Sequence, residues 1–259
     1  MADAGAMSAS IAPLFAPAPM PGFAWAARLD ALAAKLVPWL ALAAALLAAG
    51  ALAVGWFGGP GGIQPGDAHR IVFVHVPAVG ISLLIYLAMA VCAARALVRN
   101  DGMPVMLMTA LAPTGALFTL IALGTGALWS KPTWGQWWVW NARLTSELIL
   151  MFVYVGFLSI RNPVSPVRGP DRAGPVLVLI GVVNLPIIYS SVRWWNALHQ
   201  GGSIGPLRSP DMARTMLAGM LLMVLAFAMY AAAAVLARVR CLLRERDRVG
   251  DSVFQELKP

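Results

Sequence analysis

The stretch Trp134-Gly135-Gln136-Trp137-Trp138-Val139-Trp140, followed directly by Asn141-Ala142-Arg143-Leu144-Thr145-Ser146-Glu147, decides how the rest of the chain is interpreted. Residues 134–140, the tryptophan segment, hold four of the ten tryptophans and separate two strongly apolar runs. The segment is therefore predicted to lie at a membrane surface, where an indole keeps its ring in apolar surroundings and its N–H near polar partners. In a helix, Trp134, Trp137, Trp138 and Asn141 would share one face. That face could be an aromatic belt that anchors helices, but four rings in seven positions favour a flat platform for a flat, apolar ligand.

The composition predicts an all-α integral membrane protein. Of the 259 residues, 60% are hydrophobic and 12% are charged, whereas soluble domains have about 45–50% apolar and about 25% charged residues. The net charge of +8 does not indicate nucleic-acid binding, because no basic run alternates with aromatic residues in a soluble segment. Cys92 and Cys241 match no metal or redox spacing, and without a Cys-x-x-Cys-His motif a haem would not be attached covalently.

Six apolar runs are long enough to cross the roughly 30 Å hydrocarbon core of a bilayer. They form a predicted membrane domain over residues 35–238, between a flexible tail (1–34) and a basic cytoplasmic tail (239–259). The predicted spans are residues 36–57, 76–98, 104–128, 143–160, 173–192 and 212–237. Gly124 and Gly126 predict close helix contact in the third span, and Asn184 and Pro186 predict a local break in the fifth.

The distribution of Lys and Arg predicts the orientation. With six spans, 13 of the 19 Lys and Arg residues lie in the tails and in the loops on the same side, and the remaining 6 lie on the other side. Cytoplasmic loops carry an excess of these residues, so both termini are predicted to be cytoplasmic. The alternation of spans then puts His75, the tryptophan segment and His199 at the outer surface.

Two histidines are candidate axial ligands of haem iron. Neutral imidazoles on opposite sides of a flat ring are a ligand set of six-coordinate haem, and His75 and His199 flank the tryptophan segment. A single loop histidine is more often a solvated residue or a helix cap, and His69, in a Gly/Pro-rich loop, is interpreted in that way. Pro77 suits the first turn of a helix, so His75 is expected just before the second span.

Further residues complete the predicted site. The haem platform comprises Trp134, Trp137, Trp138, Trp140 and Asn141. Arginines near the rim could pair with the haem propionates, and the candidate contacts to propionates or to a partner are Arg143, Arg193, Trp194 and Trp195. Glu147 lies just inside the fourth span and is predicted to form a structural pair with Arg143, four residues earlier. Asn141 is predicted to be the N-cap of this helix.

Three motifs together resemble the haem exporter protein C (CcmC) family, of the tryptophan-rich WWD group. They are Val74-His75-Val76-Pro77, the tryptophan segment with residues 143–147, and Ser191-Val192-Arg193-Trp194-Trp195-Asn196-Ala197-Leu198-His199-Gln200. The resemblance covers roughly residues 36–237, in the family's order and with its six spans. It implies a periplasmic site that binds haem b non-covalently and transiently, with iron held by His75 and His199 above a tryptophan floor.

The resemblance also implies partners and a role without catalytic residues. Haem would be presented to the haem chaperone CcmE, beside the ABC-type ATPase CcmA, the membrane subunit CcmB and the small single-span subunit CcmD. The family usually has Asp where this chain has Asn141, which keeps the capping ability but loses a charge. The alternatives are a haem lyase-like enzyme, a membrane b-type electron-transfer protein and a permease subunit without haem. Haem lyase relatives are larger than this chain. Membrane b-type cytochromes require histidine pairs deep within their helices.

Overall fold

The computed structural model describes residues 23–57, 71–99, 102–160, 172–194 and 214–256, and within these ranges every regular element is helical. The helices are α1 (Phe23–Phe57), α2 (Val72–Arg99), α3 (Gly102–Trp134), α4 (Ala142–Ile160), α5 (Ala173–Gly181), α6 (Asn184–Trp194) and α7 (Arg214–Glu256). Five helical stretches in the described part of the chain are long and apolar enough to cross a membrane: Arg28–Gly55, Val72–Arg99, Gly102–Pro132, Ala142–Ile160 and Leu217–Glu245. The chain is thus a multi-pass membrane protein, as its composition predicted, and the count of six spans stays a prediction.

The fifth predicted span consists of two short helices, α5 and α6. Val182 and Val183 separate them, and their N–H groups make only long bonds to carbonyls three residues back, at 3.3 and 3.4 Å. Pro186 has no N–H to continue the helical ladder onto Val182. Asn184 instead anchors the break, since its side-chain amide donates to the Ser146 carbonyl of α4 at 2.7 Å. The local break predicted at Asn184 and Pro186 is therefore confirmed.

A central group of helices forms the core, with α2 packed against α3, α5 and α7, and α4 packed against α3, α5 and α6. Two buried tyrosines, Tyr86 and Tyr154, meet edge to face with ring centroids 5.3 Å apart. Their hydroxyls donate to the carbonyls of Val178 and Ser82, each at 2.9 Å. Because water is scarce inside a bilayer, such bonds satisfy polar groups while linking α2, α4 and α5.

The two ends of the helix bundle are distinct. At one end Phe73 of α2 lies against Gly55 of α1 and Gly219 of α7, where an added Cβ would come within 3.1 and 2.8 Å of its ring. At the opposite end Asp30 of α1 pairs with Arg240 and Arg244 of α7, at 2.9 and 3.1 Å. Helices α1 and α7 are therefore antiparallel, and α2 and α7 begin at the same end of the bundle. We call it the His75 end.

Candidate functional site

His75 lies inside a helix rather than before one. Helix α2 begins at Val72, so the predicted start after His75 was wrong. The reason is the packing of Phe73, which is buried between α1 and α7 and extends the helix upstream of Pro77. The backbone of His75 is consequently fixed by the first turns of α2, and its side chain is partly buried.

The ring of His75 is oriented by α3. Its Nδ1 atom lies 3.1 Å from the carbonyl oxygen of Ala122 and 3.0 Å from Oγ1 of Thr125. A carbonyl oxygen can only accept a hydrogen bond, so Nδ1 carries the hydrogen in this arrangement and donates it. The other nitrogen, Nε2, then holds the lone pair in the neutral ring. This is the tautomer and the kind of support that metal-binding histidines use.

A glycine on α3 lets the three helices meet at this ring. A Cβ added at Gly126 would lie 3.5 Å from Cε1 of His75 and 3.1 Å from Cδ2 of Leu144, the third residue of α4. An added Cβ would require Leu144 to shift slightly and would touch the His75 ring at an ordinary van der Waals distance, whereas no atom of the described residues lies within 4 Å of the corresponding position at Gly124. The close contact predicted for this glycine pair is thus confirmed for Gly126 and wrong for Gly124. The start of α4, directly after the tryptophan segment, adjoins His75.

Beyond Trp134 the tryptophan segment is not helical, which corrects the predicted single face of indoles. Helix α3 ends at Trp134, and Gly135 adopts a left-handed conformation with φ of 75°. Its N–H donates to the Lys131 carbonyl at 2.9 Å, and its own carbonyl accepts from the Lys131 ammonium at 3.0 Å. A glycine in this conformation commonly ends a helix, and residues 135–141 then follow an irregular path to α4.

Three indoles of the segment, together with Trp129 of α3, consequently form two edge-to-face pairs in an aromatic surface. Trp134 packs against Trp129 with centroids 4.9 Å apart, and Trp138 packs against Trp140 at 5.6 Å. The Trp137 and Trp140 side chains are 57% and 76% exposed. The indole N–H of Trp138 is buried and has no hydrogen-bond partner among the residues that the structure describes. The sequence argument missed Trp129, which packs edge to face against Trp134, five residues later in α3.

Asn141 caps α4, as predicted. Its side-chain oxygen accepts from the N–H of Leu144 at 2.8 Å, and its carbonyl accepts from the N–H of Thr145 at 3.0 Å. An N-cap satisfies amides that the first turn of a helix leaves without partners. The cap therefore fixes the first turn of α4, which carries Leu144 to Gly126.

The predicted pair of Arg143 and Glu147 is looser than a direct ion pair. Among the described residues, the ion pairs within 4.0 Å are those of Asp30 with Arg240 and Arg244, and Arg143 and Glu147 do not form one. Arg143 and Glu147 lie four residues apart on α4. Glu147 is only 4% exposed, and the Ser82 hydroxyl of α2 lies 3.4 Å from its Oε1. Glu147 is thus held between α4 and α2.

The remaining candidates lie at the end of α6 or in the connection between α6 and α7. Arg193 and Trp194 are the last two residues of α6, and Trp195 and His199 lie outside the described residues. Helix α7, which follows this connection, begins at the His75 end of the bundle. The role of His199 stays a prediction.

Comparisons of the sequence with known proteins point to one family. A family model described as "Heme exporter protein C" matches residues 20–253. The chain is similar to "Heme exporter protein C" of Escherichia coli K12, with 49% identity over 193 residues, which are 71% of this chain and 77% of that protein. It is 38% identical to "Heme exporter protein C" of Bradyrhizobium diazoefficiens over 225 residues, 85% of this chain and 84% of that protein. A "Putative cytochrome c biosynthesis ccmC-like mitochondrial protein" of Marchantia polymorpha is 46% identical over 145 residues, 56% of this chain and 61% of the relative.

Proposed function

Because the chain belongs to the heme exporter protein C family, we propose that it binds haem b at the His75 end of its helix bundle and presents it to the haem chaperone CcmE. Haem is cargo in this role, held non-covalently and transiently during cytochrome c maturation. The names of the relatives support haem handling in general. The proposed role is binding and transfer, without a catalytic residue.

One observation carries the proposal: the hydrogen bonds of His75. Because Nδ1 donates to Ala122 and Thr125, Nε2 is the nitrogen that carries the lone pair in the neutral ring, as an axial ligand of haem iron requires. One further feature fits haem, since the buried N–H of Trp138 offers a donor to a polar group of a ligand.

The other site residues take roles that follow from their chemistry. His199 would supply the second imidazole. The exposed rings of Trp137 and Trp140 present apolar faces on which a flat macrocycle can stack. Arg143, partly buried at the start of α4, and Arg193 at the end of α6 would pair with the propionates. The remaining platform and contact residues in the proposal are Trp134, Trp138, Asn141, Trp194 and Trp195.

Partners and orientation are part of the same proposal. We place the His75 end at the periplasmic surface of the bacterial inner membrane and both termini in the cytoplasm, beside CcmA, CcmB and CcmD. The support is the excess of Lys and Arg on the side of the tails. In the bundle, Arg240 and Arg244 bind Asp30 at the end opposite to His75.

The test is the absorption spectrum of the full-length protein purified after haem-replete expression. Two axial imidazoles give six-coordinate, low-spin iron. We expect His75→Ala and His199→Ala each to shift the spectrum towards a high-spin form and to abolish loading of CcmE, and added imidazole to restore part of the parent spectrum. His69→Ala is the matched control and should leave the spectrum unchanged.

The outcomes separate the candidate functions. If His75→Ala or His199→Ala keeps the low-spin spectrum and full haem content without imidazole, the ligand assignment is wrong. A parent protein that carries no haem under these conditions would favour a permease subunit without haem.

A further inference from the structure

We propose that Thr125 is a positioning residue of this site, which together with the Ala122 carbonyl fixes His75 in its Nδ1–H tautomer and strengthens Nε2 as an iron ligand. The inference rests on the proposed role of His75. It concerns a residue that the tryptophan and histidine motifs leave out.

The hydrogen-bond inventory of Thr125 supports this assignment. Its Oγ1 lies 2.6 Å from the Ile121 carbonyl, 3.1 Å from the Ala122 carbonyl and 3.0 Å from Nδ1 of His75. A hydroxyl has a single hydrogen, and both carbonyls can only accept it. The oxygen of Thr125 therefore presents a lone pair to His75, and the Nδ1–H has two acceptors, Thr125 and Ala122.

The opposite tautomer is disfavoured by the same geometry. With the hydrogen on Nε2, the lone pair of Nδ1 would face the Ala122 carbonyl oxygen at 3.1 Å without a hydrogen between them. Thr125 could donate to Nδ1 only by giving up its 2.6 Å bond to Ile121.

The Ala122 carbonyl and the Thr125 hydroxyl are held rigidly, so they are already in position to accept the Nδ1–H of His75. Both belong to one turn of α3, Ala122 is fully buried, and the bond to Ile121 fixes the hydroxyl rotamer of Thr125. Such supporting hydrogen bonds set the orientation of a metal-binding imidazole and raise its basicity.

The expected consequence is a change in affinity with a defined sign. Removing the Thr125 hydroxyl leaves the Ala122 carbonyl as acceptor, so haem affinity should fall about tenfold, the lower end of the effect of such supporting groups. A more electron-rich imidazole stabilises ferric iron more than ferrous iron. If the whole loss falls on the ferric form, the midpoint potential rises by about 59 mV, the one-electron equivalent of a tenfold change.

The experiment compares three variants of the full-length protein in detergent. Thr125→Val removes the hydroxyl at nearly constant shape, and Thr125→Ser keeps it. Thr119→Val is the matched control on α3, because Thr119 is buried and its hydroxyl makes the same kind of bond, to the Gly115 carbonyl at 2.9 Å. Nitrogen-15 NMR of histidine-labelled, haem-free protein reports the tautomer of His75, with the His75→Ala variant identifying its signals.

We expect the parent, Thr125→Ser and Thr119→Val proteins to show His75 as the Nδ1–H tautomer, and Thr125→Val to lose part of that population. Haem titration and redox titration should follow the same order. An Nε2–H tautomer in the haem-free parent overturns the proposal whether or not any variant folds. The proposal is also overturned if Thr125→Val and Thr119→Val show the same His75 tautomer, the same haem affinity and the same midpoint potential.

The outcome for the proposed function is separate. If Thr125 proves to have no role and His75→Ala still removes the low-spin spectrum, the proposed function stands. If His75→Ala keeps the low-spin spectrum, the ligand assignment fails, and the haem-free NMR comparison still decides whether Thr125 sets the tautomer.

Discussion

Replacing Asn141 separates the capping of α4 from a role of charge at the haem site. The side-chain oxygen of Asn141 accepts from the Leu144 N–H at 2.8 Å. Asn141→Ala removes this bond, and loss of an N-cap typically costs about 1 kcal/mol. Asn141→Asp keeps an oxygen in the same place and adds a favourable interaction of about 0.3–1 kcal/mol with the helix dipole.

We therefore expect the Asn141→Asp variant to be at least as thermally stable as the parent, and the Asn141→Ala variant to be the least stable of the three. A loss of 1 kcal/mol corresponds to a decrease in Tm of about 2–4 °C for a chain of 150–250 residues. Haem retention should follow the same order, because the first turn of α4 holds Leu144 against Gly126 beside His75. We expect at most about a fivefold loss for Asn141→Ala, since 1 kcal/mol is about a factor of five in an equilibrium constant.

Differential scanning fluorimetry and haem titration of the purified variants provide the measurement, and loading of CcmE tests transfer. Asn141→Ser, which retains a capping oxygen, is the control and should resemble the parent. The reasoning is refuted if Asn141→Asp changes haem retention or CcmE loading more than Asn141→Ala does. That result would mean that the charge at this position matters and that the cap is incidental.

Three further predictions test the bundle, the aromatic surface and the orientation. Tyr154→Phe removes the 2.9 Å bond to the Ser82 carbonyl and should lower the free energy of unfolding by about 1 kcal/mol; an unchanged Tm would contradict the role of this bond. Trp137→Ala should weaken haem retention, while Trp39→Ala on α1, also an exposed indole at 70%, should not; equal retention would make the segment a membrane belt. A reporter active only in the cytoplasm should be active when fused after Arg248 and silent after Trp137, and the reverse pattern would overturn the topology.

The sequence was informative wherever a signal is local. Composition identified a helical membrane protein, because a chain with so few charges cannot cover its apolar surface in water. Asn141 was recognisable as an N-cap from its place before the apolar run of α4, and Asn184 with Pro186 marked a break because proline removes a backbone donor. These features depend on residues within one or two turns of each other.

The tertiary structure decided what depends on distant neighbours. The packing of Phe73 against α1 and α7 extends α2 past His75, and the periodicity of α2 alone does not reveal that contact. The left-handed Gly135 turns the chain out of α3 and converts a predicted helical face into an irregular aromatic surface. The hydrogen bond between His75 and Thr125 joins residues 50 positions apart. Only the packing of α2 on α3 brings those two side chains together, because hydrophobic patterning specifies which face of a helix is buried but not which side chain lies opposite it.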